Sequence, residues 1–212
     1  MRNSLSDVVA AALRVLDEQG LEGCSMRRVA AALDVQPSAL YHHVPNKQTL
    51  LALMADEIVR GLGGPGGATV AGDAAGGATA ARSLCIALRE AMLAVRDGAD
   101  VVATAAAFRL GASEVEQRLT ALVGPDGART LLLYTFGHAQ STQTHRQAAA
   151  FGALLGPIAG SDAAGPSDRG EGSLARGGAA PGRPATATAG SVADLDSSFV
   201  RGLDIILGGL TS

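Results

Sequence analysis

Apolar residues in the first sixty positions recur with a helical period. Leu5, Val8, Val9, Ala12, Leu13 and Leu16 fall on one side of a 3.6-residue repeat, which predicts a first helix. Ser4 with Asp7 three residues on gives it an aspartate version of the capping box, and Gly20 supplies its stop. Ser25 caps a short second helix with Met26, Val29, Ala30 and Leu33 inward, and Asp34 follows where a tight left-handed turn is expected. Gln36 and Pro37 open a third element with Leu40 and Val44 inward, the proline standing at the first helical position, where its missing N–H costs nothing. Asn46 caps a fourth helix with Leu50, Leu51, Met54 and Ile58 inward, ending at Gly61.

Further along, the pattern predicts helices near 79–95, 98–109, 113–123 and 126–155. A final helix from about 192 to 210, capped by Ser191, carries Leu195, Phe199, Leu203, Ile206 and Leu210 as its apolar positions. Two glycine-rich breaks separate these segments, Gly61 to Gly77 and Gly160 to Gly190. The second is dominated by Gly, Ala, Ser, Thr and Pro with no periodic apolar face, so a mobile loop is expected at 160–190. The predicted class is all-α: a three-helix helix-turn-helix unit with its supporting helix at 1–60, a linker at 61–78, and a helical body at 79–212.

Composition agrees with that class. Of 212 residues 47% are hydrophobic but only 3% aromatic, with no Trp and 28 Gly, so the core must be built mainly from Ala, Leu and Val, a palette for closely packed helices. Cys24 and Cys85 match no disulfide framework or zinc spacing, which points to a reduced, intracellular protein. Neither a signal peptide nor an apolar run approaching the roughly 20 residues of a membrane helix is present, so a soluble cytoplasmic protein with no membrane partner is expected.

The net charge of −3 argues for no nucleic-acid partner on its own. Its distribution does. From Cys24 to Thr49 the charges are Arg27, Arg28 and Lys47 against Asp34, a balance of +2 inside a 1–60 segment that totals −1.

Signals for other chemistry are weak. Gly61 to Gly66 formally fits a dinucleotide fingerprint, but it follows a helix rather than a strand. His42 and His43, being adjacent, point to different sides of a helix and cannot share a metal without further ligands. The serines lack a nucleophile motif. Cys24 fits a small buried residue better than a redox sensor. No catalytic residue, metal site or cofactor is expected.

A short helix, a tight turn and a second short helix, steadied by a preceding amphipathic helix, is the helix-turn-helix pattern. The segments Ser25-Met26-Arg27-Arg28-Val29-Ala30 and Ala39-Leu40-Tyr41-His42-His43-Val44-Pro45-Asn46-Lys47 resemble the DNA-binding domain of the Tet repressor family. Residues 91–99 and 199–210 resemble C-terminal segments of its tetracycline-repressor subgroup. The resemblance implies an all-helical homodimer on double-stranded operator DNA, with a small-molecule effector pocket in the C-terminal domain. Carried over residue by residue, Arg27 would meet phosphate or a base edge and Lys47 phosphate. Tyr41 and His42 would touch the backbone, and Gln36, Pro37, Ser38, Ala39 and His43 would meet base edges or sugars. This chain departs from the family at Asp34, where Gly is usual, and at Gln36, where Ser or Thr usually caps. The competing view is that Tyr41 is a partly buried helix residue and the two histidines are simply solvated.

For the effector, position in the family pattern and polarity on apolar helices single out Leu62, Val102, Phe108, Arg109, Arg118, Tyr134, His138 and Thr142. The positions that hold a tetracycline–magnesium complex in the subgroup fall at Val102, Arg146 and Gly63, which supply no suitable ligands, so that effector is not expected. Tyr134, His138, Ser141 and His145 could equally form a dimer stripe or a satisfied core face, and Leu131, Leu132 and Phe136 are expected to pack the core. The dimer interface is expected on the helices at 126–155 and 192–210. An alternative function is a small-molecule-binding protein or enzyme that keeps the helix-turn-helix only for packing.

Overall fold

The computed structural model describes residues 4–62, 74–111, 113–155 and 192–210. Their regular structure is entirely helical: α1 Leu5–Gly23, α2 Met26–Ala32, α3 Pro37–Tyr41, α4 Lys47–Ile58, α5 Ala74–Leu93, α6 Gly98–Ala107, α7 Ser113–Leu155 and α8 Val192–Leu210. The expected mobile loop at 160–190, the Ser191 cap and residues 63–73 of the expected linker lie outside the described residues.

Local chemistry sets most boundaries. Ser4 Oγ accepts from the Asp7 amide at 3.2 Å while Asp7 Oδ2 accepts from the Ser4 amide at 2.8 Å, closing the predicted capping box. Gly20 breaks the regular helix with φ +71°, and one more short turn carries α1 to Gly23. Ser25 and Asn46 cap α2 and α4 through the amides of Arg28 and Thr49. Asp34 takes the expected left-handed conformation at φ +54°. Gln36 makes no side-chain cap, leaving Pro37 to start α3. Helix α4 stops at Ile58 rather than at Gly61, and a turn reaches Leu62. Helix α5 starts at Ala74 rather than near 79, so residues 74–78, expected in the linker, are its first turns. There Gly77 is needed for close packing, since a Cβ would sit 2.7 Å from the Leu122 carbonyl oxygen of α7.

The two helices predicted on either side of Pro125 are both present: within α7 the backbone leaves the helical conformation at Gly124, φ +75° and ψ 170°, so the element runs as two helical arms meeting at a kink. Proline cannot donate to the helix ladder and crowds the preceding turn, so the bend belongs where it is found.

Helices α1 to α4 form a small head around Val8, Ala12, Leu16, Val29, Leu40, Val44, Leu50 and Met54, each no more than 2% exposed. Helices α5 to α8 form the body around Leu88, Met92, Leu119, Leu131, Phe199 and Leu203. The two are joined most extensively where α4 packs on α6. A second junction lies at the α5–α6 turn. Arg96 Nη1 donates to the Asp17 and Glu18 carbonyls of α1 at 2.9 and 3.2 Å, and Asp97 Oδ2 accepts from the Leu21 amide at 2.8 Å. Asp97 is the residue before α6, yet its carboxylate caps nothing in α6. Its other oxygen accepts from Gln147 Nε2 of α7 at 2.6 Å. Head, turn and long helix thus meet on one side chain.

Candidate nucleic-acid interface and effector cavity

The head turns one polar face outward. On α3 and the turn after it, Gln36, Ser38, Ala39, Tyr41, His42 and His43 are exposed, Pro37 is half-buried, and Leu40 alone points into the core at 2% exposure. Tyr41 is 52% exposed and both histidines are exposed, which the DNA-contact view and the competing view alike allow. Arg27 lies in the first turn of α2, and Lys47 opens α4 directly after its Asn46 cap. Both are exposed, and helix N-termini already favour anions through their free N–H groups. Arg28 is committed elsewhere, since its Nη1 donates to the Gly23 carbonyl at 2.8 Å and closes the end of α1. That leaves Arg27 and Lys47 as the cations flanking α3. Behind this face Cys24 is buried, and desolvation raises its thiol pKa, with the Lys47 charge acting in the opposite direction. Cys85, buried in the body, is pushed up to about 11. Neither has the lowered pKa of a reactive thiol.

The body holds a cavity of about 560 Å³ between α5, α6 and both arms of α7. Leu88, Ala103, Ala106, Ala107, Val115, Leu132, Leu133 and Phe136 supply its apolar lining, and Arg109, Glu116, Arg129 and Gln140 its polar groups, with Gly111 and Gly137 completing it. Its size lies within the usual range of small-molecule sites, about 300–1,000 Å³.

Of the eight residues singled out for an effector, the cavity contains only Arg109. Val102 is fully buried in the core, Phe108 is exposed on the neighbouring turn, and Arg118 donates to the Leu62 carbonyl, tying α7 to the end of α4. Tyr134, His138 and Thr142 lie on a different face of α7, against α8. There Arg89, 6% exposed, donates to Asp196 Oδ1 at 2.7 Å, to Thr142 Oγ1 at 3.3 Å and to His138 Nδ1 at 3.3 Å, and lies over the Phe199 ring. Because Nδ1 accepts from a guanidinium, His138 carries its proton on Nε2, facing Ser198 Oγ at 3.2 Å. Burial first, then the Arg89 charge, lower its pKa, and Asp196 acts in the opposite direction. Tyr134 stacks on Phe199 and donates to the Ser198 and Phe199 carbonyls at 3.3 and 3.2 Å. This is the satisfied core face, with Ser141 and His145 left exposed at its edge.

The lining missed by sequence reasoning follows the spacing Arg129, Leu132, Leu133, Phe136, Gly137 and Gln140, a second stripe of the same helix. Leu132 and Phe136 were expected only to pack. The signal available was Arg129 and Gln140 on that otherwise apolar stripe.

One residue of the cavity's lining packs against the head. A Cβ on Gly111, whose φ is +75°, would lie 2.7 Å from the Ala52 carbonyl oxygen and 3.1 Å from Asp56 Oδ1, so the α6–α7 turn rests on the backbone of α4. Among the described residues no helix is long and apolar enough to cross a membrane.

Comparison with known proteins agrees with this geometry. Residues 8–54 match the model of the family described as bacterial regulatory proteins, tetR family. The chain is 45% identical over 58 residues to the tetracycline repressor protein class E of Escherichia coli, a match spanning 27% of this chain and 28% of that one. Similarity to solved structures extends much further. BioQ of Mycobacterium smegmatis superposes with a TM-score of 0.73 at 28% identity, over 98% of this chain and 97% of its own. A BioQ structure solved with its double-stranded DNA operator gives a TM-score of 0.61 at 32% identity, over 72% of this chain and 95% of that one. The helical body as well as the head is therefore accounted for, and the chain belongs to the TetR family of bacterial regulatory proteins.

Proposed function

We propose that this protein is a ligand-responsive DNA-binding repressor: a homodimer that holds a palindromic operator and is released by a small-molecule effector. The observation that carries the reading is the outward face of α3, free of core duties and flanked by Arg27 and Lys47 at two helix N-termini. Gln36, Pro37, Ser38, Ala39 and His43 are assigned to base edges and sugars, and Arg27, Tyr41, His42 and Lys47 to the backbone. The BioQ structure with its operator supports the same use of the fold. In a two-fold dimer the recognition helices stand about 34–36 Å apart, one turn of DNA.

The dimer surface is assigned to α8 and the second arm of α7; on α8, Ile205 stands 76% exposed. The effector site is assigned to the cavity rather than to Tyr134, His138 and Thr142, which are engaged with α8. Release would run through α4, because α6 and Gly111 rest on it. Moving a population from mostly bound to mostly released takes on the order of 5 kcal/mol of differential ligand affinity. The protein acts as a binder in the cytoplasm, with no chemical step assigned to it.

The test is fluorescence anisotropy with DNA from upstream of its own gene. Arg27→Ala with Lys47→Ala should weaken binding to every sequence and reduce the salt slope by about 0.9 per lost phosphate contact. An unchanged affinity and slope would overturn the assigned face. No binding by the wild-type protein even at low salt would favour a small-molecule binder that keeps the helix-turn-helix for packing.

A further inference from the structure

We propose that the cavity takes an organic anion with a largely apolar body, its acid group held by Arg109 and Arg129. This rests on the effector site assigned above and adds the chemistry of its ligand. Two guanidiniums and one carboxylate, Glu116, line the space, a positive balance in a body whose residues from 61 onward total −2. Neither guanidinium pairs with a carboxylate among the described residues. Arg89, the buried cation nearby, differs in that Asp196, Thr142 and His138 already occupy it. Both stand exposed beside the apolar part of the lining, where the acid group of a bound ligand can reach them, and guanidinium meets carboxylate or sulfonate oxygens in a fork that ammonium cannot copy.

Backbone geometry gives independent support. Arg109 is held at φ +55°, a conformation costly for a residue with a Cβ. Two residues on, Gly111 at φ +75° sits so close to Ala52 of α4 that no side chain fits. The turn presenting Arg109 is thus fixed against the head before any ligand arrives, which lowers the entropic cost of using it as an anchor. Leu88, Leu132 and Phe136 offer the apolar body a surface. Gln140 Nε2 is already bonded to Asp100 Oδ1 at 2.7 Å, which leaves its carbonyl oxygen for a ligand hydroxyl.

Two dyes of nearly the same aromatic shape separate charge from apolar fit: 1-anilinonaphthalene-8-sulfonate, an anion, and the neutral N-phenyl-1-naphthylamine. The full-length protein should bind the sulfonate about tenfold more tightly. The double variant Arg109→Gln, Arg129→Gln, altered only at exposed positions, should remove that preference while leaving the neutral dye unchanged. Added salt should weaken the sulfonate alone. Ala106→Phe, which fills the cavity, should weaken both dyes. Equal affinity of the two dyes for the wild-type protein, sulfonate binding untouched by the double variant, or dye binding untouched in folded Ala106→Phe would each overturn the proposal. All readings are made without DNA, so a failure of operator binding and a failure of anion selectivity are told apart.

Discussion

Asp34 holds φ at +54°, where the Cβ of an L-residue crowds its own backbone. It is exposed and its side chain caps nothing, so the turn between α2 and α3 keeps this conformation against a local penalty. Asp34→Gly relieves that penalty at some cost in chain entropy, and we expect a net gain of about 0.5–1 kcal/mol, read as a higher Tm. Operator affinity should hardly change, because the α3 face is untouched. Among the nine residues assigned to DNA, the phosphate and base groups should part under mutation. Substitutions at Arg27 and Lys47 should lower affinity and salt dependence, while substitutions at Gln36 and Ser38 should change which sequence is preferred.

At the scale of elements, α8 shows how a helix with exposed Gly208 and Gly209 stays docked. Arg89 and Tyr134 reach it from α5 and α7, and His138 meets Ser198 through Nε2 while its unprotonated Nδ1 accepts from Arg89. Burial and Arg89 hold the His138 pKa below the ordinary value, so near and below about pH 6.5 the unfolded chain binds more protons than the folded one. Stability from this group is full above that range and is lost as pH falls through it. Thermal melts at about pH 7.5 and 5.5 should show a drop that His138→Gln reduces. The head was legible in the sequence because the start of each of its helices is a short-range event: Ser4 with Asp7, Ser25, Pro37, Asn46. The break between the two helices at Gly124 and Pro125 was legible for the same reason. Which face of α7 meets α8 and which lines the cavity was not, because two stripes one residue apart on the arm after Gly124 both mix polar and apolar groups. Only the positions of α5, α6 and α8 choose between them, and those are set by contacts such as Gly77 against Leu122 that leave no local signature.

Across the whole molecule, two of the junctions between head and body differ in kind. The α4–α6 packing is broad and apolar, whereas the α5–α6 turn works through single polar atoms. Asp97→Ala removes the acceptors for Leu21 and Gln147 together and should cost roughly 1–3 kcal/mol. Hydrogen exchange at the Leu21 amide should quicken in that variant, with the α4 amides much less affected. Equal acceleration across the head would mean that the turn serves general stability rather than local attachment. The division into two parts also has a spectroscopic consequence. The sequence has two Tyr and no Trp. Tyr41 stands at the surface of the head and Tyr134 lies stacked on Phe199 in the body. Each half of the molecule therefore carries its own native fluorophore, and Tyr41→Phe leaves an emission signal that belongs to the body alone. DNA contact and rearrangement around α8 can then be followed as separate channels in an unlabelled protein.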